Sequence, residues 1–233
     1  METIIFDVDD TLYDQLRPFQ NAFHTVFPEL KDAPIEKLYV SSRRHSEKMF
    51  EKSERGEISL LELHTYRIMA AFRDFNIDIE YDKAVQFQKV YETEQKKITI
   101  FPEMGDLLDL LIEKKKRIAV LTNGPHQHQL MKVNRLGLTR WIPMEHIFVS
   151  GAIGSAKPNL ETFRFVEKNM QLDKEKTIYI GDSFENDIIG AKRAGWQAIW
   201  MNHRKREIQD APVTPDQIVY SPKELLTYVE TNL

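Results

Sequence analysis

The chain has 233 residues, with 32 Lys and Arg against 36 Asp and Glu, a formal charge of −4. Hydrophobic residues make up 42% and charged residues 29%, which is the balance of a folded globular protein and excludes a disordered chain. There is no cysteine, so disulfides, thiolate nucleophiles and thiolate-held metals are excluded, and an isoelectric point near 6.0 argues against bulk nucleic-acid binding.

The chain opens on a short apolar strand, Thr3 to Phe6. No basic stretch followed by a long apolar run precedes it, so a cytoplasmic protein is expected. No apolar run anywhere approaches the roughly 20 residues of a membrane span, so no membrane partner is expected. From about Tyr13 to Lys96 the apolar residues recur with helical period. Phe19, Phe23, Val26 and Phe27 share one face; Leu60, Leu61, His64, Ile68, Ala71 and Phe75 make another; Val85, Phe87, Val90 and Tyr91 suggest a last helix. Pro28, Pro34, Gly56 and the Asn76–Asp78 region punctuate the stretch, which reads as about four helices.

From Ile98 onward strands and helices alternate. Pro102 opens a helix that ends on the lysines at 114–116, the polarity a helix dipole favours. Ile118–Leu121 reads as a strand, Leu130, Val133 and Leu136 as a helical stripe stopped by Gly137, and Ile147–Val149 as a strand. A helix from Pro158 to about Met170, a strand Thr177–Ile180, a helix Phe184–Ala194 stopped by Gly195 and a strand Ala198–Trp200 follow. Repeated strand–helix units imply an α/β fold: a Rossmann-like parallel sheet flanked by helices, made by residues 1–13 and 97–233, with an inserted all-helical domain at 14–96.

Such a sheet places its ligand site at the carboxyl ends of its strands. The first strand ends in Asp7-Val8-Asp9-Asp10-Thr11, and residues two apart in extended chain point the same way. Asp7 and Asp9 can therefore share one site, where their like charges need a cation or a retained proton. The second strand ends in Thr122-Asn123-Gly124, a hydroxyl and backbone N–H groups suited to seat a phosphate. Lys157 lies just before a helix start after the third strand. The fourth strand ends in Gly181-Asp182, with Asp187 close behind.

Taken alone, each feature has an ordinary explanation: a turn, a cap, a solvated lysine. Together and in this order they resemble the haloacid dehalogenase superfamily of hydrolases. Asp7-Val8-Asp9-Asp10-Thr11 matches its first motif, Thr122 its second, Lys157 its third, and Gly181-Asp182 through Asp187 its fourth. The resemblance covers the whole chain, with the helical insert as the family's cap, in a layout similar to the nucleotidase-like group.

The resemblance implies a phosphatase that hydrolyses small phosphomonoesters, with nucleoside monophosphates the leading substrates. Asp7 would be the nucleophile that forms an aspartyl-phosphate, and Asp9 the acid that protonates the leaving alcohol and then the base toward water. That role leads us to expect a raised pKa at Asp9. Mg²⁺ would be held by the side chains of Asp7 and Asp182 and the carbonyl of Asp9, with Asp187 in support. Thr122, Asn123 and Lys157 would bind the phosphoryl group, and the cap would exclude water and read the leaving group. The second acid, Asp9, is not carried by the relatives that cleave carbon–halogen bonds, which favours phosphoryl transfer. Asp10 stands where many relatives have Gly. A phosphomutase acting on sugar phosphates keeps the same acids and is the nearest alternative; a non-enzymatic phospho-acceptor or binding protein is a remote one. The Arg43-Arg44-His45 cluster and Arg67 are read as a solvated face or as contacts to an anionic substrate. The partner expected is a small phosphorylated metabolite, not a nucleic-acid polymer. Oligomeric state is not readable.

Overall fold

The computed structural model describes residues 2–208 and 210–233, without the side chains of Glu47, Phe50, Glu51 and Glu54. The chain divides into two compact units, Met1–Asp14 with Ile98–Leu233, and Gln15–Lys97.

In the first unit, β1 (Thr3–Phe6) is buried along its whole length, as a strand covered on both faces must be. It lies in the middle of a six-stranded parallel sheet with β2 (Arg117–Thr122), β3 (Ile147–Val149), β4 (Thr177–Gly181), β5 (Gln197–Met201) and β6 (Gln217–Val219), ordered β3-β2-β1-β4-β5-β6. Alternate side chains feed two cores. Ile4, Phe6, Val120, Ile178 and Ile180 face one side, whereas Ile5, Ala119, Leu121, Tyr179 and Ala198 face the other.

The inserted unit contains α1 (Leu16–Val26), α2 (Ile35–Glu54), α3 (Leu60–Arg73) and α4 (Tyr81–Gln95). Phe19, Phe23, Phe27, Phe72, Phe87 and Tyr91 form an aromatic core there, with Phe19 edge-on to Phe87 at 4.9 Å between ring centres. The face of α3 differs from the one read in the sequence. Leu60 and Leu61 are exposed, and Leu63, Ile68, Ala71 and Phe72 are buried. A capping box, in which Ser59 and Glu62 satisfy each other's backbone N–H, starts the helix at Leu60 and leaves its first turn in water. Asp74, at the end of α3, binds Ser41, Arg44 and His45 of α2. Arg44 and His45 are thus engaged within this unit, and so is Arg67, which is buried and donates to Gln88 at 3.1 Å.

The helices of the first unit are α5 (Pro102–Glu113), α6 (His126–Arg135), α7 (Ser150–Ile153), α8 (Leu160–Met170), α9 (Ile189–Ala194) and α10 (Pro222–Asn232). α5 and α10 contribute Leu107, Leu108, Leu111, Leu225 and Val229 to the first core. α8 and α9 contribute Phe163, Val166 and Ala191 to the second. The predicted helix 184–194 begins instead as a wide π-type turn over Phe184–Ile188 and becomes α-helical at Ile189. β6 and α10 are additions to the elements read from sequence.

Candidate active site

Register brings the polar strand ends together. Phe6 pairs with Val120 on one side and Ile180 on the other, and the Asp7 N–H still donates to the Ile180 carbonyl at 2.9 Å. Asp7, Thr122 and Asp182 therefore leave the sheet at neighbouring strand ends. Carboxylate oxygens of Asp7, Asp182 and Asp187 lie within 4.8 Å of one another. Asp7 and Asp187 are buried, and the Asp182 side chain is 12% exposed.

Lys157 reaches this trio from the far side of β2. Its Nζ donates to Asp7 Oδ1 at 2.7 Å, Asp187 Oδ1 at 2.6 Å and the Tyr179 hydroxyl at 2.6 Å. Tyr179 in turn donates to the Leu121 carbonyl at 2.7 Å. Burial opposes the Lys157 charge, but Asp187 and Asp7 outweigh it and raise its pKa. Burial also raises Asp7, to about 7, against the attraction of Lys157 and with Asp187 and Asp9 adding repulsion. Asp182 is pushed well above the carboxylate range, by burial first and then by Asp10 and Asp187. Two acids held up in this way mark a site short of positive charge.

The wide turn after β4 aims Asp187 inward, where its other oxygen accepts from the Ser183 N–H at 2.9 Å. Gly181 makes room for it, because a Cβ there would lie 2.3 Å from the Asp187 carboxylate. Thr122 is buried and its hydroxyl has no hydrogen-bond partner, an open polar atom beside the acidic trio's strand end. The Asn123 side chain is engaged within the site's own loops. Its amide exchanges two 2.9 Å hydrogen bonds with the main chain of Lys157 and so anchors the loop that carries the lysine.

Asp9 departs from expectation most sharply. Lys132 of α6 donates to its two oxygens at 2.7 and 2.6 Å, Gln129 donates at 3.0 Å, and the Tyr13 hydroxyl completes the set. Burial favours the neutral acid, yet Lys132 and these hydrogen bonds hold Asp9 far below the ordinary carboxylate range, not above it. Lys132, Gln129 and Tyr13 were not read from sequence as site residues. Asp10 takes a left-handed backbone, φ 57°, which accounts for a position where Gly is common. Arg204, after β5, grips its carboxylate at 3.0 and 2.8 Å and also reaches Asp14 at 2.6 Å. Arg206 from the same segment lies 3.1 Å from Asp182.

The donor set fits a hard divalent cation. It offers buried carboxylate oxygens and no nitrogen or sulfur ligand, and its mutual repulsion calls for a counter-charge.

Sequence and structure comparisons agree with this architecture. The profile of the haloacid dehalogenase-like hydrolases matches residues 1–195, and the chain belongs to that family. Among curated relatives, the pyrimidine 5'-nucleotidase PynA of Streptococcus pneumoniae is 27% identical over 231 residues, spanning 99% of this chain and 95% of that protein. The crystal structure of YfnB from Bacillus subtilis, solved bound to magnesium, superposes with a TM-score of 0.71 at 23% identity, over 100% of this chain and 99% of that one. The L-2-haloacid dehalogenase RSc1362 shares the fold at TM-score 0.74 and 18% identity, with 99% of each chain covered.

Proposed function

We propose that the protein is a Mg²⁺-dependent phosphatase of small phosphomonoesters, with nucleoside monophosphates the leading substrate class. The observation that carries this reading is the buried group of Asp7, Asp182 and Asp187 tied to Lys157. In this reading Asp7 and Asp182, with the Asp9 carbonyl and support from Asp187, hold Mg²⁺. When bound, the ion neutralises nucleophile and phosphoryl group so that two anions can approach each other. Residues 15–97 take the role of the cap, and selectivity for the leaving group rests on them.

The Asp7 carboxylate attacks phosphorus while the bond to the leaving oxygen breaks. Lys157 and the open Thr122 hydroxyl steady the phosphoryl oxygens as charge develops. Asp9 protonates the leaving alkoxide. Lys132 and the hydrogen bonds around Asp9 favour its ionised form, and the charge of an arriving phosphoryl group favours its taking up from solvent the proton that it then passes on. In the second half-reaction water attacks the aspartyl-phosphate at phosphorus and gives its proton to Asp9, and Asp7 is released with inorganic phosphate. Asp9 also favours this chemistry over carbon–halogen cleavage, even though dehalogenases share the fold.

The test is release of inorganic phosphate from a panel of nucleotides, sugar phosphates and p-nitrophenyl phosphate with Mg²⁺. The expected result is turnover that chelation removes and that Asp7→Asn lowers by about a thousandfold or more. Isomerisation of a sugar phosphate without phosphate release would point to a mutase instead. Full activity of Asp7→Asn would overturn the assignment.

A further inference from the structure

The acid group of Asp9 is held from one direction by one helix. Lys132 and Gln129 lie three positions apart on α6, on the side of the helix turned toward the sheet, and both are 2% exposed. Lys132 Nζ spans both Asp9 oxygens at 2.7 and 2.6 Å. The Gln129 amide nitrogen bridges Asp9, at 3.0 Å, to the Asn123 carbonyl, at 2.8 Å. Asn123 in turn anchors Lys157, which touches Asp7. The first turns of α6 therefore link both aspartates of the first strand end.

A buried lysine–aspartate pair is a poor way to stabilise a fold, because desolvation of the two charges offsets most of their attraction. Its geometry does serve to fix a direction. A carboxylate bonded through both oxygens to a buried cation has little freedom to rotate. Tyr13, four residues after Asp9, restrains the same group from its own loop.

We infer that Lys132 is a positioning residue for the leaving-group step: it orients the Asp9 carboxyl group, and through Asp9 sets how well the enzyme expels alcohols that need a proton. This rests on the phosphatase reading, and on Asp9 acting at the leaving oxygen. Lys132 itself touches no reacting atom.

The experiment compares kcat/KM for an alkyl phosphate, whose leaving oxygen needs a proton, with that for p-nitrophenyl phosphate, whose leaving phenolate hardly does. The ratio reports only the steps up to phosphoryl transfer, so the later hydrolysis does not enter. Lys132→Met should lose at least about tenfold more on the alkyl ester than on the aryl ester, within the roughly hundredfold or more that a general acid contributes. In an Asp9→Asn background the same change should add no further discrimination. Equal losses on the two esters, a gain on the alkyl ester, or full additivity with Asp9→Asn would each overturn the inference, since a merely structural role predicts uniform loss. If Lys132→Met does not fold, as judged by circular dichroism, Tyr13→Phe must show the same bias toward alkyl-ester loss, and its absence would equally overturn the inference. Turnover by the wild-type enzyme, with the Asp7→Asn blank, tests the phosphatase reading separately.

Discussion

At the scale of single residues, the site is organised around unequal treatment of neighbouring acids. Asp7 and Asp182 are buried with too little positive charge, and their pKa values rise. Asp9, two positions from Asp7, has a lysine to itself and its pKa falls. The sign of the consequence follows from linkage. A group whose folded pKa is raised stabilises the fold fully below the ordinary carboxylate range, and that contribution is lost as pH climbs through the folded value, about 7 for Asp7. A divalent cation competes with the same protons. Without Mg²⁺ the Tm is therefore expected to fall between about pH 4 and about pH 7, and the Tm gain on adding Mg²⁺ is expected to be larger at the higher pH. Differential scanning fluorimetry checks this, and a Mg²⁺ effect that shrinks toward alkaline pH would contradict the charge assignment. Asp7, Asp9 and Asp182 are legible because they follow apolar strands closely, and Lys157 because it falls in the loop between the third strand's short helix and α8. Lys132 and Gln129 are not, since inward-facing polar residues on a helix interrupt the apolar period that sequence reading relies on. Without that signal the expected acid role alone points to a raised Asp9 pKa, and Lys132 reverses the direction.

At the scale of elements, the strands of the first unit follow their apolar runs, and the helices that cover them follow Pro, Gly and capping signals. The errors have local causes. On α3 the exposed Leu60 and Leu61 seeded the wrong face, and the capping box at Ser59 and Glu62 explains why the first turn stays outside the core. β6 is only three residues long, Gln217–Val219, and α10 buries just Leu225 and Val229, too little pattern to read. The helix after β4 starts as a π-type turn because Asp187 has to turn inward to Lys157, a tertiary demand with no local signature. Close packing between α8 and α9 gives a prediction at this scale. A Cβ at Gly190 would lie 2.4 Å from the Phe163 ring, which is fully buried. Gly190→Ala should destabilise the protein by about 1–3 kcal/mol through overpacking, measured by urea unfolding. A neutral or stabilising effect would show that the ring can move aside.

At the scale of the whole molecule, the helical unit Gln15–Lys97 interrupts the α/β unit between its first strand end and everything that follows. Asp7 and Asp9 are thus separated from Thr122, Lys157 and Asp182 by more than a hundred positions of chain, yet the parallel register of β1 with β2 and β4 delivers them to one place. Mild acidity argues against bulk nucleic-acid binding, and the buried carboxylate centre offers the oxygen donors that a hard divalent cation prefers. In the proposed reaction Asp7 carries the phosphoryl group covalently. The most direct measurement is to mix enzyme, Mg²⁺ and a turned-over phosphomonoester, quench with acid, reduce with borohydride and sequence the peptides by mass spectrometry. Residue 7 is expected to be reduced from an acyl phosphate to homoserine, and no other Asp is. Turnover with Asp7 unmodified, or reduction at a different carboxylate, would contradict this role of Asp7.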